Sequence, residues 1–229
     1  MTAVLLFTRT TGYRHGEAIE AGIEMIQFAA RKRGVEVVVT EDPDVYQATR
    51  LRAFNATVWL HVSGNVLEST QRTALADFLA RGGGFAGIHG AADAEREWPE
   101  YEQIVGARFL YHPNDGAQVA DLIVEGPEHP STTALPNPWS WTEEWYSFER
   151  SPRPEVDVLL AVDESTYDHT YDPTVFPRDA LKMGDDHPIS WAGRFGEGRT
   201  WFTALGHHVD AYANPLFIEH VWGGISSVL

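Results

Sequence analysis

The sequence predicts an α/β domain in which parallel strands lie between two layers of helices, and three observations carry that prediction. Short apolar runs alternate with helix-period segments across the first hundred residues. Polar loops follow the apolar runs, as they do where strands feed crossover helices. No stretch reads as a linker, a repeat or a low-complexity tract, so the 229 residues form one domain, residues 1–229.

Residues 3–8 are an apolar run that reads as a buried strand, opening into a polar, glycine-bearing loop over residues 9–16. A helix follows, because Ile19, Ile23, Ile26 and Ala30 fall on one face, and Gly34 stops it just past Arg31-Lys32-Arg33. Residues 35–40 and 57–62 read as the second and third strands. Residues 70–81 form the next helix, with Leu75, Phe78 and Leu79 on one stripe. Gly82-Gly83-Gly84 ends it, and residues 85–88 make a fourth strand. In such a sheet ligands bind outside the carboxyl ends of the strands, so the loops starting at Arg9, Ser63 and His89 should converge on one crevice.

Beyond Pro99 the pattern predicts a short helix over 98–106, strands over 118–124 and 157–162, and a hairpin of 189–195 with 199–205 around Gly196-Glu197-Gly198. A closing helix spans 215–228, with Asn214 as N-cap and Pro215 at its first position. Its residues Phe217, Ile218, Val221 and Trp222 either pack inside the domain, the preferred reading, or form the face of a homo-oligomer. Residues 125–154 and 163–187, rich in Pro, Asp and Thr with little periodicity, read as irregular lid or binding loops.

Composition narrows the chemistry. Lys and Arg total 17 against 33 Asp and Glu, a formal charge of −16, which argues against nucleic acid as a partner. The single basic run, Arg31-Lys32-Arg33, sits where a helix end favours cations. No signal-peptide pattern and no apolar stretch near 20 residues is found, so no membrane partner and a cytoplasmic location are expected. Cysteine is absent, so oxygen and imidazole must do any chemistry. Ten His and eight Trp suggest a pocket for a polar, ring-shaped ligand, a small-molecule carbohydrate.

Four constellations stand out. Gly87-Ile88-His89-Gly90, directly after a strand, has the shape of a nucleophile elbow that presents an imidazole, with Asp93 close behind. Gly12-Tyr13-Arg14-His15 precedes a helix N-terminus, where electron-rich ligand groups are favoured. Trp139-Ser140-Trp141-Thr142-Glu143-Glu144-Trp145-Tyr146 pairs sugar-stacking faces with carboxylates, Glu144 being the acid favoured for function, although plain packing weighs equally for Trp139 and Trp141. His112, His187 and His207-His208 form a series without a helical zinc spacing, which leaves a cation held between loops as an open alternative, Zn, Mn or Fe by donor type. His129, His169 and His220 read as surface or core.

The motifs Thr11-Gly12-Tyr13-Arg14-His15, Gly83 to Asp93, Tyr111-His112-Pro113-Asn114, Glu143-Glu144-Trp145-Tyr146, His187-Pro188-Ile189-Ser190-Trp191 and Gly198 to His207, in that order, resemble the ThuA-like (trehalose utilization) family. The resemblance spans nearly the whole chain. It implies a three-layer, flavodoxin-like fold with a mostly parallel sheet, related to class I glutamine amidotransferases, and a role in sugar catabolism beside dehydrogenases that make 3-keto-glycosides. His89 stands where an amidotransferase has its nucleophilic cysteine, and His207-His208-Val209-Asp210 lacks the His-x-Glu partner, so glutamine hydrolysis is excluded.

A 3-keto sugar suits the residues that remain. The ketone acidifies the C2 hydrogen, so a positioned base and a stabilised enolate allow the C1 substituent to leave. The expected catalytic residues are His89, His15 and Glu144, with Arg14, Asp93, His112, Trp145, Tyr146, His187 and Trp191 binding substrate and His15, His89 and His207 as the candidate metal ligands. The rival expectations are a metal-dependent isomerase or hydrolase of ordinary sugars at the same site and a non-catalytic sugar-binding or interaction module with the same pocket.

Overall fold

The computed structural model describes residues 2–113, 117–170, 174 and 183–229. Asn114 of the Tyr-His-Pro-Asn motif and much of the 163–187 stretch lie outside the described residues. The elements are β1 (Ala3–Phe7), α1 (Gly16–Lys32), β2 (Glu36–Thr40), α2 (Ala48–Leu51), β3 (Ala56–Leu60), α3 (Ser69–Ala80), β4 (Gly84–Ile88) and α4 (Tyr101–Val105). They continue with β5 (Phe109–Tyr111), β6 (Gln118–Val124), β7 (Trp139–Glu143), β8 (Ser147–Phe148), β9 (Asp157–Val162), β10 (Pro188–Phe195), β11 (Gly198–Thr203) and α5 (Pro215–Ser227).

Nine of the described strands make one sheet in the order β2-β1-β3-β4-β11-β10-β9-β6-β7. β2, β1, β3, β4 and β11 pair in parallel, as the continuous apolar runs of the first hundred residues require. The remaining four pairings are antiparallel, so direction flips at β10, returns at β9, flips at β6 and returns at β7. Only β10 and β6 therefore run against the rest, and the carboxyl ends of the others share one rim.

Side-chain alternation sends neighbours to opposite faces. Trp59 stacks on Tyr101 of α4 with ring centroids 5.1 Å apart, while the adjacent Leu60 abuts Gly22 of α1. Trp201 lies on the Leu60 face and packs against Gly224 of α5. Helices thus cover both faces, and Leu5, Val58, Trp59, Phe85, Ile88, Trp201 and Phe202 are sealed between them. In α5, Phe217 and Val221 are buried within the domain, as the packing reading expects. Its N-terminus is capped by the Asn214 carboxamide oxygen, which accepts from Leu216 N and Phe217 N.

Two expectations need correction. The helix expected over 98–106 is only α4, which stops at Gly106 because that residue turns left-handed at φ +95°. Residues 125–154 are not one irregular loop, for they contain β7 and β8. Residues 139–143 alternate inward and outward as a half-buried strand does, but the prolines just before them mark a loop; the segment pairs with β6 from Leu122↔Trp139 to Gln118↔Glu143. That pairing carries Glu143 and Glu144 to the rim.

Candidate functional site

β3 and β4 end side by side in left-handed histidines, His61 at φ +53° and His89 at φ +50°. A side chain pays steric strain there, and such strain concentrates where a residue must be presented in one direction. His89 Nδ1 lies 2.6 Å from Ala204 O. A carbonyl only accepts, so Nδ1 carries the proton and Nε2 keeps its electron pair. The Tyr146 hydroxyl donates to that Nε2 across 2.8 Å, and burial, together with the charge of Glu144, pushes Tyr146 well above the usual phenol range so that it remains a donor.

His207 arrives from the loop after β11, and Glu143 holds it there. The Glu143 carboxylate accepts from Gly206 N at 2.6 Å, His207 N at 3.1 Å and Glu144 N at 2.9 Å. This ties the end of β7 to the end of β11. Glu144, the next residue, turns its own carboxylate to the imidazoles, with Oε2 3.1 Å from His207 Nδ1 and 3.4 Å from His89 Nε2. Its Oε1 lies 3.4 Å from His112 Nε2. Burial would raise the Glu144 pKa, but the hydrogen bond from His207 and the neighbouring imidazoles outweigh it and hold the carboxyl well below its ordinary range. The same pairing raises His207 against the opposing effect of its burial.

His89 Nε2 and His207 Nδ1 are 3.3 Å apart, which closes a triangle with Glu144 Oε2 whose sides are 3.1, 3.3 and 3.4 Å. Bonds of about 2.0–2.1 Å to a tetrahedral cation place donor atoms about 3.3 Å from one another, so these donors fit one face of such a site. His15 completes a group of four whose ligand atoms all lie within 4.8 Å of one another. Its ring packs 4.7 Å from that of His61, 4.8 Å from His89 and 5.0 Å from His207, and its buried Nδ1 has no hydrogen-bond partner. Burial, then the neighbouring imidazoles, push His15 down to about 3, so it is neutral. Imidazole with carboxylate is a donor set suited to Zn, Mn or Fe.

A cleft of about 770 Å³ opens beside the cluster. His15 and His207 form its inner wall, and Tyr13, Trp141, Asp210 and Asn214 lie further out. Trp141 is backed by Phe217, their rings 5.8 Å apart and 12° from parallel. This leaves an aromatic surface among polar groups, an arrangement that suits a pyranose ring.

The residues singled out in the sequence divide. His15, His89, Glu144 and His207 come together, with His112 and Tyr146 in contact with them. Arg14 lines the cleft, but its guanidinium is bound to Glu41 at 2.7 Å, and Asp93 is bound to Arg96 at 2.8 Å. Trp145, His187 and Trp191 are not in the cleft, because each is buried and committed elsewhere. Trp145 Nε1 donates to Gln118 O and Trp191 Nε1 to Val105 O. His187 sits between Glu164 and the Tyr146 carbonyl, bracing Tyr146 from behind. The sequence reading assigns no role to His61, and it names Glu143 among the carboxylates of its third constellation without singling it out. His61 lies inside the strand predicted over 57–62, whereas the strand ends at Leu60 and leaves His61 at the rim.

The family model for ThuA, trehalose utilisation, matches residues 3–227. No curated protein matches the chain. Among solved structures, a ThuA-like protein from Bacteroides uniformis has a TM-score of 0.78 at 23% identity, covering 99% of this chain and 91% of that one. A ThuA-like protein from Parabacteroides merdae gives 0.67 at 16%, covering 99% and 90%. A cytoplasmic protein from Salmonella typhimurium gives 0.62 at 12%, covering 98% of each chain. These likenesses establish the shared fold.

Proposed function

Since the chain belongs to the ThuA family, which is linked to trehalose utilisation and so to carbohydrate metabolism, we propose that it cleaves an oxidised sugar, a 3-keto-glycoside, by cation-assisted β-elimination. The observation that carries this reading is the donor triangle of His89, His207 and Glu144 beside the unpartnered imidazole of His15. His89, His207 and Glu144 would hold a divalent cation, whose contribution when bound is to polarise the substrate's ketone.

The chain's own side chains supply the rest. His15, on the cleft wall, accepts the C2 proton, the weak basicity that burial imposes on it being offset by polarisation of the ketone. The electron pair released from the C2–H bond forms the C1–C2 double bond as the C1–O bond breaks, and the same imidazole returns its proton to the departing oxygen. The products are an unsaturated 3-keto sugar and the free alcohol. Trp141 offers a stacking face to the departing group, with Asp210 and Asn214 beside it for hydroxyls. Ala204 O holds His89 in the Nδ1–H tautomer, and the Nε2 pair that here accepts from the Tyr146 hydroxyl would turn to the cation once one is bound.

The test combines elemental analysis of protein purified without added metal with turnover of a 3-keto-glycoside. Wild type should carry a divalent metal and release the alcohol. His15→Ala should retain the metal and lose at least a hundredfold in kcat, whereas Glu144→Ala should lose both. Saturable sugar binding with no product, with or without added Zn or Mn, would replace the catalytic reading with that of a binding module.

A further inference from the structure

Tyr13 is the most exposed of the large apolar side chains among the described residues, 71% exposed, and no step above uses it. Exposure alone says little, but the backbone that carries this ring is pinned on both sides. Thr11 N and Gly12 N donate to Ser63 O at 2.9 and 3.2 Å, the Thr11 hydroxyl donates to Asn65 O at 3.0 Å, and the Ser63 hydroxyl donates to Tyr13 O at 2.6 Å. Gly12 lies so near this second loop that a Cβ on it would stand 3.2 Å from both Gly64 N and Ser63 Oγ. On the other side Arg14 is held by Glu41, and His15 leads directly into α1. The loop after β1 is thereby stapled to the loop after β3, and it presents an uncovered aromatic ring with little backbone freedom.

That ring stands in the wall of the cleft, its centroid 4.7 Å from that of His15 and its plane at 77° to it. The two rings form a corner, so a group that meets His15 in the cleft lies within reach of Tyr13. We propose that Tyr13 is a substrate-binding residue that stacks on the C–H face of the oxidised ring and holds it against His15, while Trp141 serves the departing group. The cleft then has two aromatic subsites, one for each side of the bond that breaks. An aromatic face attracts the C–H groups of a sugar and displaces water from them, and a ring fixed in advance loses little freedom in doing so. Which sugar ring Tyr13 touches rests on the reading of His15 as the base; that it touches a ligand ring rests on its place in the cleft alone.

Three ligands separate the two sides of the bond. Methyl 3-keto-glucoside departs with a methyl group too small to stack on Trp141, whereas 4-nitrophenyl 3-keto-glucoside departs with an aromatic ring. Methyl glucoside, which lacks the ketone and is not cleaved, reads contact without chemistry. Tyr13→Ala should weaken the binding of methyl glucoside, followed by ligand-observed NMR, roughly tenfold, and raise KM for both keto substrates to a similar degree with kcat within about twofold. Tyr13→Phe, which keeps the ring, should behave as wild type, and Trp141→Ala should raise KM for the 4-nitrophenyl substrate alone. The exposed position of Tyr13 means that neither of its variants should move the thermal midpoint. A Tyr13→Ala protein with unaltered binding and KM overturns the proposal, as does an effect confined to the 4-nitrophenyl substrate. Weakened binding of methyl glucoside, in a protein whose wild type cleaves neither keto sugar, would instead overturn the lyase reading alone.

Discussion

At the scale of single residues, burial decides which imidazoles are chemical and which are structural. His220 is sealed between α5 and β11, donating from Nδ1 to Ser131 O at 2.8 Å and meeting the Thr203 hydroxyl at 3.0 Å through Nε2. Burial pushes it down to about 4, partly opposed by the Ser131 bond. The unfolded chain, with histidine near 6.5, therefore binds more protons between those values. This contribution is complete above about pH 6.5 and is lost as pH falls towards 4, on the order of 3 kcal/mol. Denaturant titrations at pH 7 and 4.5 should give a smaller pH loss for His220→Gln than for wild type, and equal losses would refute the assignment. The legibility of the site follows the same logic. His89 was readable because glycines bracket it, and Glu144 because a carboxylate among aromatics needs a partner. His61 continues Leu60 and Val62 without interruption, and so was hidden in a strand. Trp191 and His187 have the composition of a binding site but sit on sealed faces, which a linear pattern cannot reveal.

At the scale of elements, close approach of α5 to β11 shapes the layer behind the site. Gly224 faces the Trp201 indole, and a Cβ there would enter the ring. Replacing helical glycine with alanine ordinarily stabilises by about 0.5–1 kcal/mol. Here overpacking, at about 1–3 kcal/mol, prevails. Gly224→Ala should thus lower the denaturant midpoint, while Gly16→Ala, whose added methyl meets nothing within 4 Å, should not. A Gly224→Ala protein as stable as wild type would contradict the packing described. The first hundred residues were legible as elements because buried parallel strands are unbroken apolar runs and their helices carry clear stripes. β7 was not, since Pro136 and Pro138 just before it mark a loop and its partner β6 is separated from it in sequence.

At the scale of the whole molecule, the four donors come from residues 15, 89, 144 and 207, so they meet only when both halves of the sheet are joined. Zn at a hundred times its dissociation constant should stabilise the native state by about 2.7 kcal/mol, and raise the thermal midpoint by roughly 5–10 °C. Contacts made so late should slow unfolding and leave the refolding rate unchanged. Stopped-flow traces with and without Zn test this, and faster refolding would mean that the donors gather early. Glu144→Gln should abolish the shift.

The grip of Glu41 on Arg14 also bears on what the cleft admits. Arg14 is the sole arginine or lysine among the residues described as lining that opening, and its guanidinium is already paired with a carboxylate. A phosphorylated sugar would approach a strongly acidic exterior and find no guanidinium waiting, whereas an unphosphorylated one meets no such barrier. A phosphorylated keto sugar should therefore bind this cleft more weakly than its unphosphorylated counterpart in a titration at low salt, and equal affinities would contradict this account of the entrance.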